Sequence, residues 1–358
     1  MISQSDLRCR DGALVENWYV ACLSHELGVN STLKRQIYDS PLVLFRAEGG
    51  RPACLPDRCL HRHAQLSKGV ILHHETAGTC LACPYHGWVY NSDGLVVEVP
   101  SEGSCARTAD STLKLDPLPC VEQDGCIWIW MGKGSPRDPS PPLRFPDRKH
   151  GWVSYFMITD FDNEATHLVE NFMDVPHTVF VHKTWFRTRA KKSVPISVES
   201  RDGSVLVTYD QPQDKIGFVS FFVNPKNEPM KHTDHFFMPN LTRVDYNFGS
   251  KNAFIIVSQI TPVSKLRSRV YTNIVYRVGF LTKPLEPFFR FYTRQVIEQD
   301  VEIMKNQGES FQHDMTCRFQ ATEADRVHLA IERLREFGQK SDPQAHSFQE
   351  KVETALWI

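Results

Sequence analysis

The chain has no long apolar run. Hydrophobic residues make up 41% of its 358 residues, yet an Asp, Lys, Arg or His interrupts every extended stretch. Nothing approaches the roughly 18 consecutive apolar residues that a membrane-spanning helix needs. An excess of one charge is also absent: 41 basic residues against 42 acidic ones leave a net charge of -1, with a pI near 6.9. That balance removes the electrostatic case for nucleic acid, and no Lys/Arg run suggests a polybasic membrane anchor. The first residues, MISQSDLRCRDG, lack the basic-then-apolar design of a secretion signal. No internal repeat, GxGxxG or P-loop occurs, so the chain is not expected to draw electrons directly from NAD(P)H. These absences lead us to expect a cytoplasmic protein without membrane or nucleic-acid partners.

Cysteine is present, but in no regular pattern. Ten cysteines at uneven spacing, in a chain too large to need staples, argue against a disulfide framework. Metal ligation by some, with the rest as small buried hydrophobes, fits better. At this length the chain has material for roughly two domains.

From Trp18 to about Met131 the sequence reads as short β-type runs, among them Leu42–Phe45, Val89-Tyr90 and Cys126–Trp130. Gly/Pro/Asp turns such as Ser92-Asp93-Gly94 separate them. Residues 132–147 are dense in Gly and Pro and read as a linker. The expected division is a first domain over 1–135 and a second over 148–358. The second opens with a strand at Trp152–Thr159 and a helix from about Glu164. Residues 193–282 alternate like an antiparallel sheet, with strands expected at Val205–Tyr209, Gly217–Val223, Phe254–Ile260 and Val270–Val278. The tail reads as helical, around Phe288–Gln307 and Glu323–Phe337.

Two constellations carry chemistry. Cys59-Leu60-His61 is followed, 22 residues after that histidine, by Cys83-Pro84-Tyr85-His86. These are the ligand types of a Rieske [2Fe–2S] cluster, in which two thiolates hold one iron and two neutral imidazoles hold the other. With neutral histidines the oxidised cluster carries no net charge, so it is easier to reduce than an all-cysteine cluster. A tetrahedral zinc site using Cys59, His61, Cys80 and Cys83 is the alternative. It leaves His86 unexplained, and Cys59-x-His61 is one residue tighter than the usual zinc knuckle. His63, His73 and His74 read as surface or loop histidines.

The second constellation is Asp174-x-x-His177-x-x-x-x-His182. On a helical wheel, Leu168, Val169, Phe172, Met173 and Val175 share one side, and Glu170, Asn171, Asp174 and His177 the other. That polar side has no Lys or Arg, unlike an ordinary solvated face. Pro176 disturbs the helix, so His182 is expected on or past its end, swung round to share a metal with His177. A carboxylate completes such a set as a facial triad with open positions for dioxygen. Asp300 is the candidate, because it projects from an apolar face formed by Val296, Ile297, Val301, Ile303 and Met304, while Glu298 and Glu302 point away. A carboxylate there is costly unless it is paired or binds metal; the alternative to ligation is a salt bridge to Arg294. Asp174 is placed to accept the remaining N–H of His177.

With these motifs, and with Leu66-Ser67-x-Gly69 and Glu298-Gln299-Asp300, the chain resembles the Rieske-type non-haem iron oxygenases. The likeness is to the terminal oxygenase (alpha) subunit of an aromatic-ring-hydroxylating or demethylating system, over about Trp18 to Gln307. The resemblance implies an α+β protein: a β-rich Rieske domain, then a helix-grip (START-like) catalytic domain with a large antiparallel sheet. It implies a Rieske cluster on Cys59, His61, Cys83 and His86, and a mononuclear Fe(II) on His177, His182 and Asp300. It also implies a homotrimer in which electrons pass from His86 of one subunit through Asp174 of the next, reduced by a separate NAD(P)H-dependent flavin reductase and/or a ferredoxin. His63 departs from the family pattern by standing where many relatives carry glycine. The activity expected is hydroxylation or oxidative demethylation of an apolar or aromatic substrate, ahead of cis-dihydroxylation. A Rieske electron carrier without oxygenase activity is the alternative of another class. Phe221, Phe222, Phe236, Phe237, Tyr246, Phe248 and Phe254 are the aromatic candidates for a pocket, and Asn240 and Arg243 could be surface residues or polar anchors.

Overall fold

The computed structural model describes residues 14–103, 112–136, 151–182, 192–212, 220–249, 252–313, 319–340 and 347–357. The chain divides into two compact units, Met1–Arg144 and Phe145–Ile358. Of the expected linker, residues 137–147 lie outside the described residues.

Among its described residues the first unit holds ten short strands: β1 (Trp18–Leu23), β2 (Leu33–Ile37), β3 (Ser40–Arg46), β4 (Pro52–Pro56), β5 (Val70–His74), β6 (Gly78–Ala82), β7 (Val89–Tyr90), β8 (Val96–Glu98), β9 (Cys120–Gln123) and β10 (Cys126–Trp130). They form three antiparallel sheets, ordered β1-β10-β9, β2-β3-β4 and β5-β6-β7-β8. The aromatic and β-branched run CIWIW makes β10 a central strand, its first four residues buried. It pairs Trp130 with Trp18 of β1. The chain between β4 and β5 and the chain between β6 and β7 carry the Cys/His motifs.

Among its described residues the second unit is built on one antiparallel sheet of eight strands. These are β11 (Val153–Phe161), β12 (Ser193–Arg201), β13 (Ser204–Tyr209), β14 (Met230–Phe237), β15 (Leu241–Phe248), β16 (Asn252–Ser264), β17 (Arg267–Arg277) and β18 (Glu350–Trp357). The order across the sheet is β11-β17-β16-β15-β14-β13-β12-β18. Alternation sets which face is covered: in β14 (MKHTDHFF), Met230, His232, Asp234 and Phe236 are buried and the residues between them are not. Helices α1 (Ala165–Met173), α2 (Ser220–Val223), α3 (Glu286–His313) and α4 (Arg326–Gln339) accompany the sheet. Leu168, Val169 and Met173 of α1 pack with Met304 of α3 and Ile331 and Leu334 of α4. Among the described residues, no helix is long and apolar enough to cross a membrane.

Three expectations are corrected. Residues 220–223 form a helical turn where a strand was expected; residues 217–219 of that segment lie outside the described residues. The tail is not wholly helical, because β18 closes the far edge of the sheet against β12. Helix α3 begins two residues earlier and ends six later than expected, at Glu286 and His313.

Candidate iron centres

The two Cys/His loops of the first unit are rigid by construction. Asp57, 3% exposed, accepts hydrogen bonds from the Ser67 amide (2.6 Å) and hydroxyl (2.7 Å), tying the first loop's ends together. Inside it, the Cys59 amide donates to the Ala64 carbonyl (2.9 Å) and the His63 amide to the Cys59 carbonyl (3.0 Å). That turn holds His63 at φ +57°, a left-handed conformation that favours glycine. Gly69 ends the loop where a Cβ would lie 2.1 Å from the Ala82 carbonyl oxygen, so no larger residue fits. In the second loop the Cys83 amide donates to Trp88 (2.8 Å) and the Gly87 amide to the Cys83 carbonyl (3.1 Å).

These loops bring the predicted cluster residues together. The His61 and His86 rings lie 4.6 Å apart, and His61 stacks flat on Trp88 at 4.9 Å. Cys59 and Cys83 are 1% and 4% exposed, and both belong to one core cluster. The Tyr90 hydroxyl lies 3.1 Å from the Cys59 sulfur and accepts from the Leu60 amide at 3.0 Å. Burial pushes the Cys83 thiol above its ordinary pKa, while the Tyr85 and His86 amides pull it back down. Nδ1 of His61 is buried without a hydrogen-bond partner among the described residues. An orphaned imidazole nitrogen beside two buried sulfurs is what a mixed Cys/His cluster requires. Cys80, the residue that kept zinc in contention, packs with Ala82, Val89 and Val97 in a different cluster. The arrangement therefore fits the iron–sulfur group and not the zinc alternative. His73 is exposed and His74 half-buried, both on strand β5 rather than in a loop.

In the second unit, α1 ends at Asp174, whose extended backbone (φ −97°, ψ 101°) breaks the helix. A single turn restarts at Pro176–Val179 and carries His177; His182 follows beyond it, as the proline led us to expect. His177 Nε2 lies 3.3 Å from His182 Nε2. Asp300, 5% exposed on α3, places Oδ1 3.5 Å from His177 Nε2 and 3.2 Å from His182 Nε2. The three ligand atoms all lie within 4.8 Å of one another. Yet Asp300 Oδ1 is buried with no hydrogen-bond partner of proper geometry among the described residues. Two imidazole nitrogens and an unpartnered buried carboxylate oxygen thus crowd one point, which fits a metal ion. Burial pushes the Asp300 carboxyl up, but the two imidazoles outweigh it and hold it below the ordinary range.

The outer nitrogens fix the two rings. His182 Nδ1 meets Gln299 Oε1 at 2.9 Å. His177 Nδ1 donates to the main-chain carbonyl of Asp174. The Asp174 carboxylate stands 3.8 Å from that nitrogen and instead accepts from the His177 amide at 3.2 Å. The expected His177–Asp174 contact is therefore present, but through the backbone oxygen, leaving the carboxylate 47% exposed. Arg294 pairs with Glu298 at 3.5 Å and not with Asp300, so the salt-bridge alternative fails. Ile303 is corrected as well: it is 39% exposed and stands off the apolar stripe.

A cavity of about 120 Å³ opens onto this cluster. Its sheet wall is ordered in rows across the strands. One row carries Thr242, Ser258 and Thr272; the next carries Asp234, Val244, Ile256 and Ile274. Of the aromatic candidates, Tyr246 and Phe254 line it. Phe236 and Phe248 are plain core, and Phe221 is 72% exposed. Arg243 is engaged by Asp245 at 2.6 and 2.8 Å, and Asn240 is buried against Arg335. The roles of Gln299, Tyr90 and Asp234 escaped sequence reasoning. Gln299 had a signal, since it stands in the Glu298-Gln299-Asp300 motif.

Fold and site together define an oxygenase class: the chain belongs to the Rieske-type non-haem iron oxygenases, with a Rieske [2Fe–2S] cluster and a mononuclear iron as its cofactors. Residues 17–119 match the family described as Rieske [2Fe-2S] domain, and residues 161–336 match the vanillate O-demethylase oxygenase C-terminal domain. Among curated relatives, the dicamba O-demethylase oxygenase component of Stenotrophomonas maltophilia is 36% identical over 191 residues, covering 52% of this chain and 53% of that protein. Chlorophyllide a oxygenase of Chlamydomonas reinhardtii is 33% identical over 184 residues, 51% of this chain and 26% of its own length. The matched segments thus span between about a quarter and about half of these relatives' length. Among solved structures, dicamba monooxygenase bound to 3,6-dichlorosalicylic acid superposes with a TM-score of 0.75 at 23% identity, over 92% of this chain and 98% of that one. That likeness is one of fold.

Proposed function

We propose that this chain is a terminal oxygenase that hydroxylates, or oxidatively demethylates, an apolar or aromatic organic substrate, with monooxygenation favoured over cis-dihydroxylation. The observation that carries this reading is the convergence of His177, His182 and Asp300 at a cavity lined by Val244, Ile256, Ile274 and Ile297. Demethylation is further supported by the vanillate O-demethylase match and by the dicamba O-demethylase relative. When bound, the cluster stores and releases single electrons, and the mononuclear iron activates dioxygen.

The protein's own residues divide the work. Cys59 and Cys83 hold the cluster as thiolates and His61 and His86 as neutral imidazoles; His177, His182 and Asp300 hold the iron. Gln299 and the Asp174 carbonyl lock the two ring orientations, so that Nε2 of each faces the metal position. The apolar walls exclude water. Asp174 serves as the electron bridge: its exposed carboxylate receives the N–H of His86 from a neighbouring copy in a homotrimer, and His86 is itself exposed. Reduction comes from a separate NAD(P)H-dependent flavin reductase, directly or through a ferredoxin. The seven described cysteines form no disulfide with one another, in keeping with a reducing, cytoplasmic setting.

Iron analysis with single turnover tests this. Anaerobically purified protein should hold about three iron atoms per chain, two in the cluster and one outside it. Chemically reduced protein should release formaldehyde from an aryl methyl ether, or hydroxylate its ring, without a partner protein. About two irons per chain and no product from any substrate would leave an electron carrier. Cluster spectra that survive in the Cys59→Ser, Cys83→Ser double variant would overturn the cluster ligands.

A further inference from the structure

The cavity beside the iron ligands contains a charged group that iron binding does not use. Asp234, on β14, is 1% exposed and lines that cavity. Apart from Asp174 and the three ligands, it is the one Asp, Glu, Lys, Arg or His among the described lining residues. A buried carboxylate costs several kcal/mol unless its lone pairs are satisfied (on the order of the penalties for isolated buried ions). Two partners hold it. The Tyr209 hydroxyl donates to Oδ2 at 2.9 Å, and His232 Nε2 meets Oδ1 at 2.8 Å.

His232 is itself 1% exposed and clamped between two rings. It stacks on Tyr209 at 4.2 Å with a 10° tilt, and on Tyr246 at 4.4 Å with a 23° tilt. Neither His232 nor Tyr209 lines the cavity, whereas Asp234 does. A carboxylate can accept about four hydrogen bonds. With one taken at each oxygen by groups that do not line the cavity, acceptor capacity remains. Three strands are thus committed to holding one anion rigidly at the wall of an apolar pocket. The other described lining residues of its row are Val244, Ile256 and Ile274, with the Thr242, Ser258 and Thr272 hydroxyls in the row beside.

We propose that Asp234 is the substrate anchor of this pocket, and that the substrate is an apolar, ring-containing molecule bearing a hydrogen-bond-donating nitrogen rather than an acid. This rests on the oxygenase reading and narrows its substrate class. An N–H or ammonium group supplies a further donor to the remaining acceptor capacity and makes a charge-assisted bond in a water-poor site. A substrate carboxylate or sulfonate would instead set two anions side by side out of water. The apolar rows then hold the ring while the nitrogen fixes which carbon faces the iron ligands.

Calorimetric titration of the anaerobic holoenzyme with benzylamine and with benzoate, matched in shape and opposite in charge, tests the assignment. Benzylamine should bind at least about tenfold more tightly, as a charged hydrogen bond in a buried site implies. Asp234→Asn, close in size, should shrink that ratio to about threefold or less. Equal binding of the two probes, tighter binding of benzoate, or no saturation by benzylamine overturns the proposal. So does an Asp234→Asn protein that keeps the full preference. The comparison on unaltered protein stands whether or not the variant folds. Iron and cluster contents measured on the same samples separate the two readings. Full cofactor content without amine preference fails the anchor alone, and amine preference without the mononuclear iron fails the oxygenase reading alone.

Discussion

Asp300 shows how a single residue can be assigned by exclusion. It sits 5% exposed on α3, and Arg294, the cation the sequence offered as its alternative partner, is 74% exposed and committed to Glu298. Arg294→Ala should therefore leave the iron content unchanged, with a stability cost under about 1 kcal/mol for a surface pair. Loss of iron in that variant would revive the salt bridge. Asp174 calls for a different test, because its backbone oxygen and not its carboxylate meets His177 Nδ1. Asp174→Asn keeps that carbonyl, and keeps a side-chain oxygen to accept from the His177 amide. Folding should suffer by less than about 1 kcal/mol, and both cofactors should stay. Stopped-flow oxidation of the reduced cluster by dioxygen, with substrate present, should nevertheless slow by at least about tenfold. Reoxidation at the wild-type rate would remove Asp174 from the electron route. At this scale the motif residues were legible because ligand types at fixed spacing have few other uses. Gln299 and Asp234 were harder to see: their roles depend on which strand or helix face they meet, and one polar residue on a mixed surface does not announce that.

Among the elements, α3 positions a ligand and is pinned at its far end. The Asn163 amide donates to the Met304 carbonyl at 2.8 Å and to Gln307 Oε1 at 2.9 Å. Two turns beyond Asp300, Gly308 packs so closely that a Cβ would lie 2.1 Å from the Asp162 carbonyl oxygen. Gly308→Ala must therefore displace the helix, at a cost of about 1–3 kcal/mol for overpacking. Its melting temperature should fall, and mononuclear iron occupancy should fall with it, while the Rieske spectrum persists. A variant as stable and iron-loaded as wild type would mean that α3 is not held from that end. The strands with a continuous or alternating apolar pattern were readable, Cys126–Trp130 and Val205–Tyr209 above all. Strand β18 was not: of EKVETALW only Leu356 is buried, and pairing with β12 rather than burial makes it a strand. The Phe221-Phe222-Val223 run misled for the opposite reason, since a short apolar segment suits a helical turn as well as a strand.

The whole molecule's acid sensitivity has an identifiable contributor in the second unit. Burial, reinforced by the charge of Arg243, pushes His235 down from 6.5 to about 4. Above pH 6.5 the imidazole is neutral in folded and unfolded chains alike and contributes nothing to the pH dependence. As pH falls from 6.5 towards 4 the unfolded chain takes up a proton that the folded one refuses, so stability declines; below that the penalty is complete. The holoenzyme's melting temperature should drop across this window, and His235→Gln should flatten the decline. An identical slope in the variant would place the sensitivity elsewhere. The central claim, that this one chain carries an electron-storing cluster and a separate iron on His177, His182 and Asp300, is tested most directly by Mössbauer spectroscopy of iron-57-enriched, anaerobically reduced protein. The account predicts a high-spin ferrous doublet, distinct from the cluster and holding about one third of the iron, that vanishes in Asp300→Ala while the cluster spectrum remains. A spectrum of cluster iron alone, or a ferrous doublet that survives the alanine substitution undiminished, would contradict it.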